Sequence, residues 1–124
     1  MKLETPLHKV QGLGAAHAGT GHFWHQRVTA VALIPLGLWF IVAMLGLAGA
    51  GEAAATGFLE RPWNAILMGA FIIVLLYHLF LGLQSVYDDY VQPPGLKIFS
   101  LIATAAAIIA VGAASFVALI RLAV

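Results

Sequence analysis

One histidine, His78, stands inside a long apolar stretch, and three residues follow at spacings that put them on its helical face: Gly82, Ser85 and Asp89. At about 100° per residue the four fall within about 60° of one another. An imidazole in that position has two uses. It bonds to a neighbouring helix, or it offers a ring nitrogen to iron as an axial ligand of a haem held between helices. Ionisable groups deep in an apolar span are costly and usually functional. Gly82, one turn on, leaves a clearing that suits either a flat macrocycle or close helix packing. Ser85 faces the same way, and its hydroxyl either meets such a ligand or bonds back to its own helix. The other histidines, His8, His17, His22 and His25, all precede residue 28. A bis-histidine haem would therefore draw its second ligand from another chain, unless His22 or His25 folds back.

About ten residues after His78 comes Tyr87-Asp88-Asp89-Tyr90. At a membrane border this cluster reads as aromatic belt and solvated loop. It also reads as a quinone pocket. A phenol donates a hydrogen bond to a quinone carbonyl, and a carboxylate orients the ring or relays its protons. Arg27 precedes the first apolar run. It is either an ordinary positive anchor or a cation that neutralises haem propionates or polarises a carbonyl.

Composition sets the elements that must position these groups. The 124 residues allow one domain at most; 62% are hydrophobic and only 9% charged, against roughly 25% charged in soluble domains. A net charge of +1 leaves no basic footprint for nucleic acid. The absence of Cys excludes disulfides, thiolate metal sites, iron–sulfur ligation and thiol nucleophiles on this chain. So little polar surface could not cover a small soluble enzyme, and a disordered chain is excluded by the same hydrophobicity.

The charges cluster and leave three uncharged runs: twenty-four residues between Arg27 and Glu52, twenty-six between Arg61 and Asp88, and twenty-three between Lys97 and Arg121. About 20 apolar residues cross the hydrocarbon core of a bilayer. The expected fold is an all-α membrane protein with transmembrane helices near 28–49, 63–87 and 98–120. Residues 1–27 read as a polar cytoplasmic arm ahead of a 28–124 membrane domain, since they lack the apolar core of a signal peptide. The simplest address is a bacterial inner membrane. Four Lys and Arg (Lys2, Lys9, Arg27, Lys97) fall on one side and two (Arg61, Arg121) on the other. That bias places the N-terminus in the cytoplasm and the C-terminus in the periplasm.

Within the spans, Pro35 removes one backbone hydrogen bond and is expected to kink the first helix. Trp24 and Trp63 suit the membrane interface. The first loop, Gly49 to Arg61, reads as flexible, and Pro93-Pro94-Gly95 stops the second helix. In the third, Ala106, Ala110, Ala114 and Ala118 form a smooth ridge. Such a ridge admits a close helix, either from this chain or from a partner subunit.

The run His78-Leu79-Phe80-Leu81-Gly82-Leu83-Gln84-Ser85-Val86-Tyr87-Asp88-Asp89-Tyr90 resembles the second helix of the succinate dehydrogenase hydrophobic membrane anchor family. That family has a haem-ligating His, a Gly one turn later and an Asp-Tyr pair ending twelve residues after the His. The segment Gly21-His22-Phe23-Trp24-His25-Gln26-Arg27-Val28-Thr29-Ala30 is similar to the family's approach to helix one, with its Arg-x-Thr-Ala. Together with the three-span topology, the likeness covers nearly the whole chain.

The resemblance implies the smaller anchor of complex II. There a flavoprotein oxidises succinate, an iron–sulfur protein carries electrons, and two anchor chains hold haem b and bind ubiquinone. His78 would be one axial ligand and the larger cytochrome b anchor would give the other. Tyr90 would bond the quinone with Asp89 beside it, and Arg27 would lie near the propionates or the quinone rim. It implies no role for His22, and Tyr87 and Asp88 have no firm counterpart. The same architecture serves a fumarate reductase anchor. A cofactor-free structural membrane subunit is the reading of a different class.

Overall fold

In a computed structural model of the chain, residues 5–7 and 19–123 are described. From residue 19 onward they form four α-helices: α1 Gly19–Leu47, α2 Glu52–Leu59, α3 Pro62–Tyr90 and α4 Pro94–Ala123. No strand occurs among the described residues. The fold is all-α, and α1, α3 and α4 are long and apolar enough to cross a membrane. A helix satisfies its backbone groups internally, which a lipid environment demands of an apolar segment.

Local sequence sets the ends. Gly49 and Gly51 both adopt φ +78, a left-handed conformation that a side chain would strain, and they turn the chain out of α1. Pro62 opens α3 in its first turn, where its missing N–H costs nothing. Val91 leaves α3 in an extended conformation, and Pro93 and Pro94 bar continuation until α4 begins. α1 runs through Pro35 as one helix.

The helices extend beyond the expected bounds. α1 starts at Gly19 rather than 28, because the polar residues of the supposed arm find partners on α3. The His22 ring lies 3.2 Å from the Leu81 carbonyl through Nε2, and His25 Nδ1 pairs with the Tyr77 hydroxyl at 2.5 Å. Residues 1–4 and 8–18 of the arm, with Lys2, Lys9, His8 and His17, lie outside the described residues. The loop read as flexible contains α2. Asn64 Nδ2 donates to the Phe58 carbonyl at 2.8 Å, and Phe58 stacks on Trp39 of α1 with ring centres 6.1 Å apart.

α3 lies between α1 and α4 and packs along both, while α2 touches α3 and α4. The result is close to a single layer of helices with little interior. Leu81 (5% exposed) and Leu119 (8%) are the buried apolar side chains, and Thr29 (9%) is the buried polar one, among the described residues. Val31, Ile34, Leu38 and Ile41 of α1 are exposed, as befits surfaces that meet lipid or another apolar chain. Phe40 stacks on Phe71 at 4.6 Å and fastens α1 to α3 at their far ends.

The α4 face that meets α3 is not the alanine ridge. Ala106, Ala110, Ala114 and Ala118 are all exposed. The close approach falls at Gly112, where an added Cβ would stand 3.2 Å from Leu76 Cδ1. At Gly69 of α3 the nearest atoms are Leu119 Cδ2 at 3.5 Å and Phe116 Cε1 at 3.6 Å, ordinary contact distances. Gly112→Val is therefore expected to wedge α3 from α4 and cost about 1–3 kcal/mol. It would show as a lower thermal midpoint in detergent, whereas Gly69→Ala stays near the unaltered protein. Equal midpoints for all three proteins would refute the close approach.

Candidate functional site

The polar groups between α1 and α3 gather around Thr29. Its hydroxyl is 2.7 Å from the His25 carbonyl and 3.1 Å from that of Gln26, one turn back on its own helix. The same oxygen is 2.8 Å from His78 Nδ1 on α3. A hydroxyl has one hydrogen, and the nearby helix carbonyls and Nδ1 compete for it. When a carbonyl takes it, the Thr29 oxygen accepts from Nδ1–H; when Nδ1 takes it, the hydroxyl donates to His78. A neutral imidazole with its proton on Nδ1 keeps a lone pair on Nε2. Nε2 has no hydrogen-bond partner among the described residues.

Gly82 also faces α1, where an added Cβ would meet only Gln26 Nε2, at 3.7 Å. A methyl group would fit there, so packing within this chain does not demand a glycine. Beside it the Gln26 Oε1 atom is buried without a hydrogen-bond partner. The Ser85 hydroxyl bonds back to the Leu81 carbonyl at 3.2 Å, the local alternative open to a serine in a helix.

Arg27 is not brought to His78. Two residues from Thr29 on the same helix, it lies about 160° round the axis, and its guanidinium sits 5.1 Å from the centre of the Phe23 ring. No ion pair reaches it among the described residues. Eight residues into α1, it lies about 12 Å from the start of the helix, and its side chain is exposed. Along the pair of helices it stands near the level of His78, because α1 and α3 run antiparallel with Thr29 opposite His78.

At the C-terminal end of α3 the four-residue cluster divides. The Tyr87 hydroxyl is 2.7 Å from Thr104 Oγ1 and ties α3 to α4. Asp88 pairs with Lys97 at 2.5 Å and closes the turn between the same helices. Asp89 is exposed and makes no ion pair among the described residues. Tyr90 is 80% exposed, with no hydrogen bond to its hydroxyl among the described residues. Two members hold the helices and two remain available.

Thr29 and Gln26 are the residues that sequence reasoning missed. The signal was a second polar stripe, His22, Gln26 and Thr29 at i, i+4 and i+7, which mirrors that of His78, Gly82 and Ser85. Among the described residues no three His, Asp or Glu side chains assemble into a metal cage. Any iron here would be held by a single imidazole of this chain.

Residues 1–119 match the family described as succinate dehydrogenase/fumarate reductase transmembrane subunit. A succinate dehydrogenase hydrophobic membrane anchor subunit from Paracoccus denitrificans is 35% identical over 105 residues, 82% of this chain and 81% of the relative. One from Rickettsia bellii (strain RML369-C) is 32% identical over 111 residues, covering 83% and 89%. One from Rickettsia conorii (strain ATCC VR-613 / Malish 7) is 28% identical over 85 residues, covering 68% of each chain.

Proposed function

The chain belongs to the succinate dehydrogenase/fumarate reductase transmembrane subunit family, and from that premise we propose that it holds one side of a haem b and part of a ubiquinone site. Its place is that of a succinate dehydrogenase membrane anchor. It has no flavin chemistry of its own, and it works with a flavoprotein, an iron–sulfur subunit and a larger cytochrome b anchor in a bacterial inner membrane. Its N-terminus is cytoplasmic and its C-terminus periplasmic.

The observation that carries the haem assignment is the state of His78. Nδ1 is engaged by Thr29, and Nε2 has no hydrogen-bond partner among the described residues. One imidazole without a carboxylate or histidine cage suits iron that arrives already bound in a macrocycle. Gly82 has room beside it for more than a hydrogen, and Ser85 continues the same face. His22 and His25 each bond to α3 residues through one ring nitrogen, and we assign the second axial ligand to the larger anchor. The haem, when bound, supplies a one-electron store close to the quinone. Arg27 balances an acidic group supplied from beyond this chain, either a propionate or the rim of the quinone site.

Tyr90 and Asp89 serve the quinone from the cytoplasmic border. The exposed phenol donates a hydrogen bond to a quinone carbonyl, and the unpaired carboxylate steers or relays the protons that accompany reduction. Tyr87 and Asp88 hold the end of α3 in place for them.

Affinity-tagged chain purified from mild detergent tests the assignment. It is expected to bring down a flavoprotein and an iron–sulfur protein together with a b-type reduced-minus-oxidised spectrum. An intact complex without that spectrum would overturn the haem, and a chain that purifies without those subunits would overturn the assembly.

A further inference from the structure

We infer that Thr29 is the positioning residue for His78: its hydroxyl fixes the imidazole tautomer and ring angle so that Nε2 presents its lone pair to iron. The inference rests on the assignment of His78 as a haem ligand. It adds what that assignment leaves open, namely what holds the ligand still.

Three observations carry it. First, Thr29 is the buried polar residue among the described ones, and it lies at the α1–α3 contact with its oxygen 2.8 Å from Nδ1. Second, the hydroxyl has a carbonyl of its own helix at 2.7 Å to take its hydrogen. An imidazole bound to iron through Nε2 carries its proton on Nδ1, and the Thr29 oxygen is then placed to accept it. Third, no other side chain hydrogen-bonds to His78 among the described residues, so the ring is otherwise held only by packing. A metal-bound histidine usually donates its second N–H to an oxygen, which fixes orientation and raises ligand basicity. Here the oxygen comes from α1 and the imidazole from α3. One bond thus joins the two helices and orients the ligand.

Thr29→Val keeps the shape of the side chain and removes the oxygen. Nδ1–H then faces an apolar methyl, and the ring gains the freedom to turn or to move its proton to Nε2. The intact complex carrying Thr29→Val is expected to release haem to apomyoglobin about 10–100-fold faster. Its haem midpoint potential should rise, because a less basic imidazole favours the ferric state less. The low-spin ferric resonance should shift as well. Thr29→Ser, which restores the hydroxyl, is expected to return all three readouts to those of the unaltered complex. If Thr29→Val does not assemble, Thr29→Ala carries the comparison, since it removes the oxygen without adding bulk.

Unchanged release rate, potential and resonance in the variants lacking the hydroxyl would overturn the inference. His78→Ala, measured alongside, separates the two claims. If its low-spin spectrum is unaltered, the ligand assignment falls and takes this inference with it. If that spectrum is lost while Thr29→Val behaves as the unaltered complex, only the role of Thr29 falls.

Discussion

Replacing His78 by Ala is expected to remove the six-coordinate low-spin b-type signal from the assembled complex. What remains is either no haem or a five-coordinate, high-spin haem on the partner's ligand alone. The effect is large because His78 is the one histidine on α3, and the substitution puts a methyl group where its ring nitrogen stood. The structural cost to the chain is small by comparison, since one hydrogen bond to Thr29 is lost at a net value of about 0.5–1.5 kcal/mol. Optical spectra of the purified complex, reduced and oxidised, read the outcome. An unaltered low-spin spectrum would show that His78 is a structural histidine bonded to its neighbouring helix and no more.

Tyr90→Phe is expected to lower succinate-driven quinone reduction about tenfold or more while succinate oxidation by an artificial acceptor continues. A hydrogen bond to a group that gains charge during reaction is worth about 1.5–3 kcal/mol, and 1.4 kcal/mol corresponds to a factor of ten. The substitution leaves the fold alone, since the ring is largely exposed and its hydroxyl has no hydrogen-bond partner among the described residues. Tyr87→Phe is the control. Its hydroxyl is occupied by Thr104, so its loss should reduce stability and leave the quinone step close to normal. Parallel loss of both activities in Tyr90→Phe would point to defective assembly, and equal retention of both would remove the phenol from the quinone site.

The three long helices were legible because charge is expensive in hydrocarbon, and the intervals between Arg27, Glu52, Arg61, Asp88, Lys97 and Arg121 leave room for little else. The start of α1 was not. A polar run such as His22 to Arg27 looks like an aqueous arm until its partners are known, and those partners lie more than fifty residues away on α3. His78 stood out through its isolation among apolar neighbours. Thr29 did not, because a threonine within an apolar span is common and most often bonds only to its own helix. The contact 49 residues away gives it another meaning. On α4 the sequence offers two small-residue faces, one with Gly112 and one with the alanine ridge, and composition alone does not say which of them meets α3. The division of Tyr87-Asp88-Asp89-Tyr90 into two fastened and two available residues depends on Thr104 and Lys97, which no local pattern connects to it.

The layered arrangement, with α3 flanked by α1 and α4 and scarcely anything enclosed, bears on how the chain would choose its neighbours. Hydrocarbon tails are as apolar as leucine, so bare flanks exert little pull towards another protein in a bilayer. Discrimination between right and wrong companions then falls to the few polar groups that lipid cannot satisfy, such as Nε2 of His78 and the guanidinium of Arg27. Recruitment in the membrane would be governed by a handful of unmet bonds, and greasy surface would serve only as filler between them.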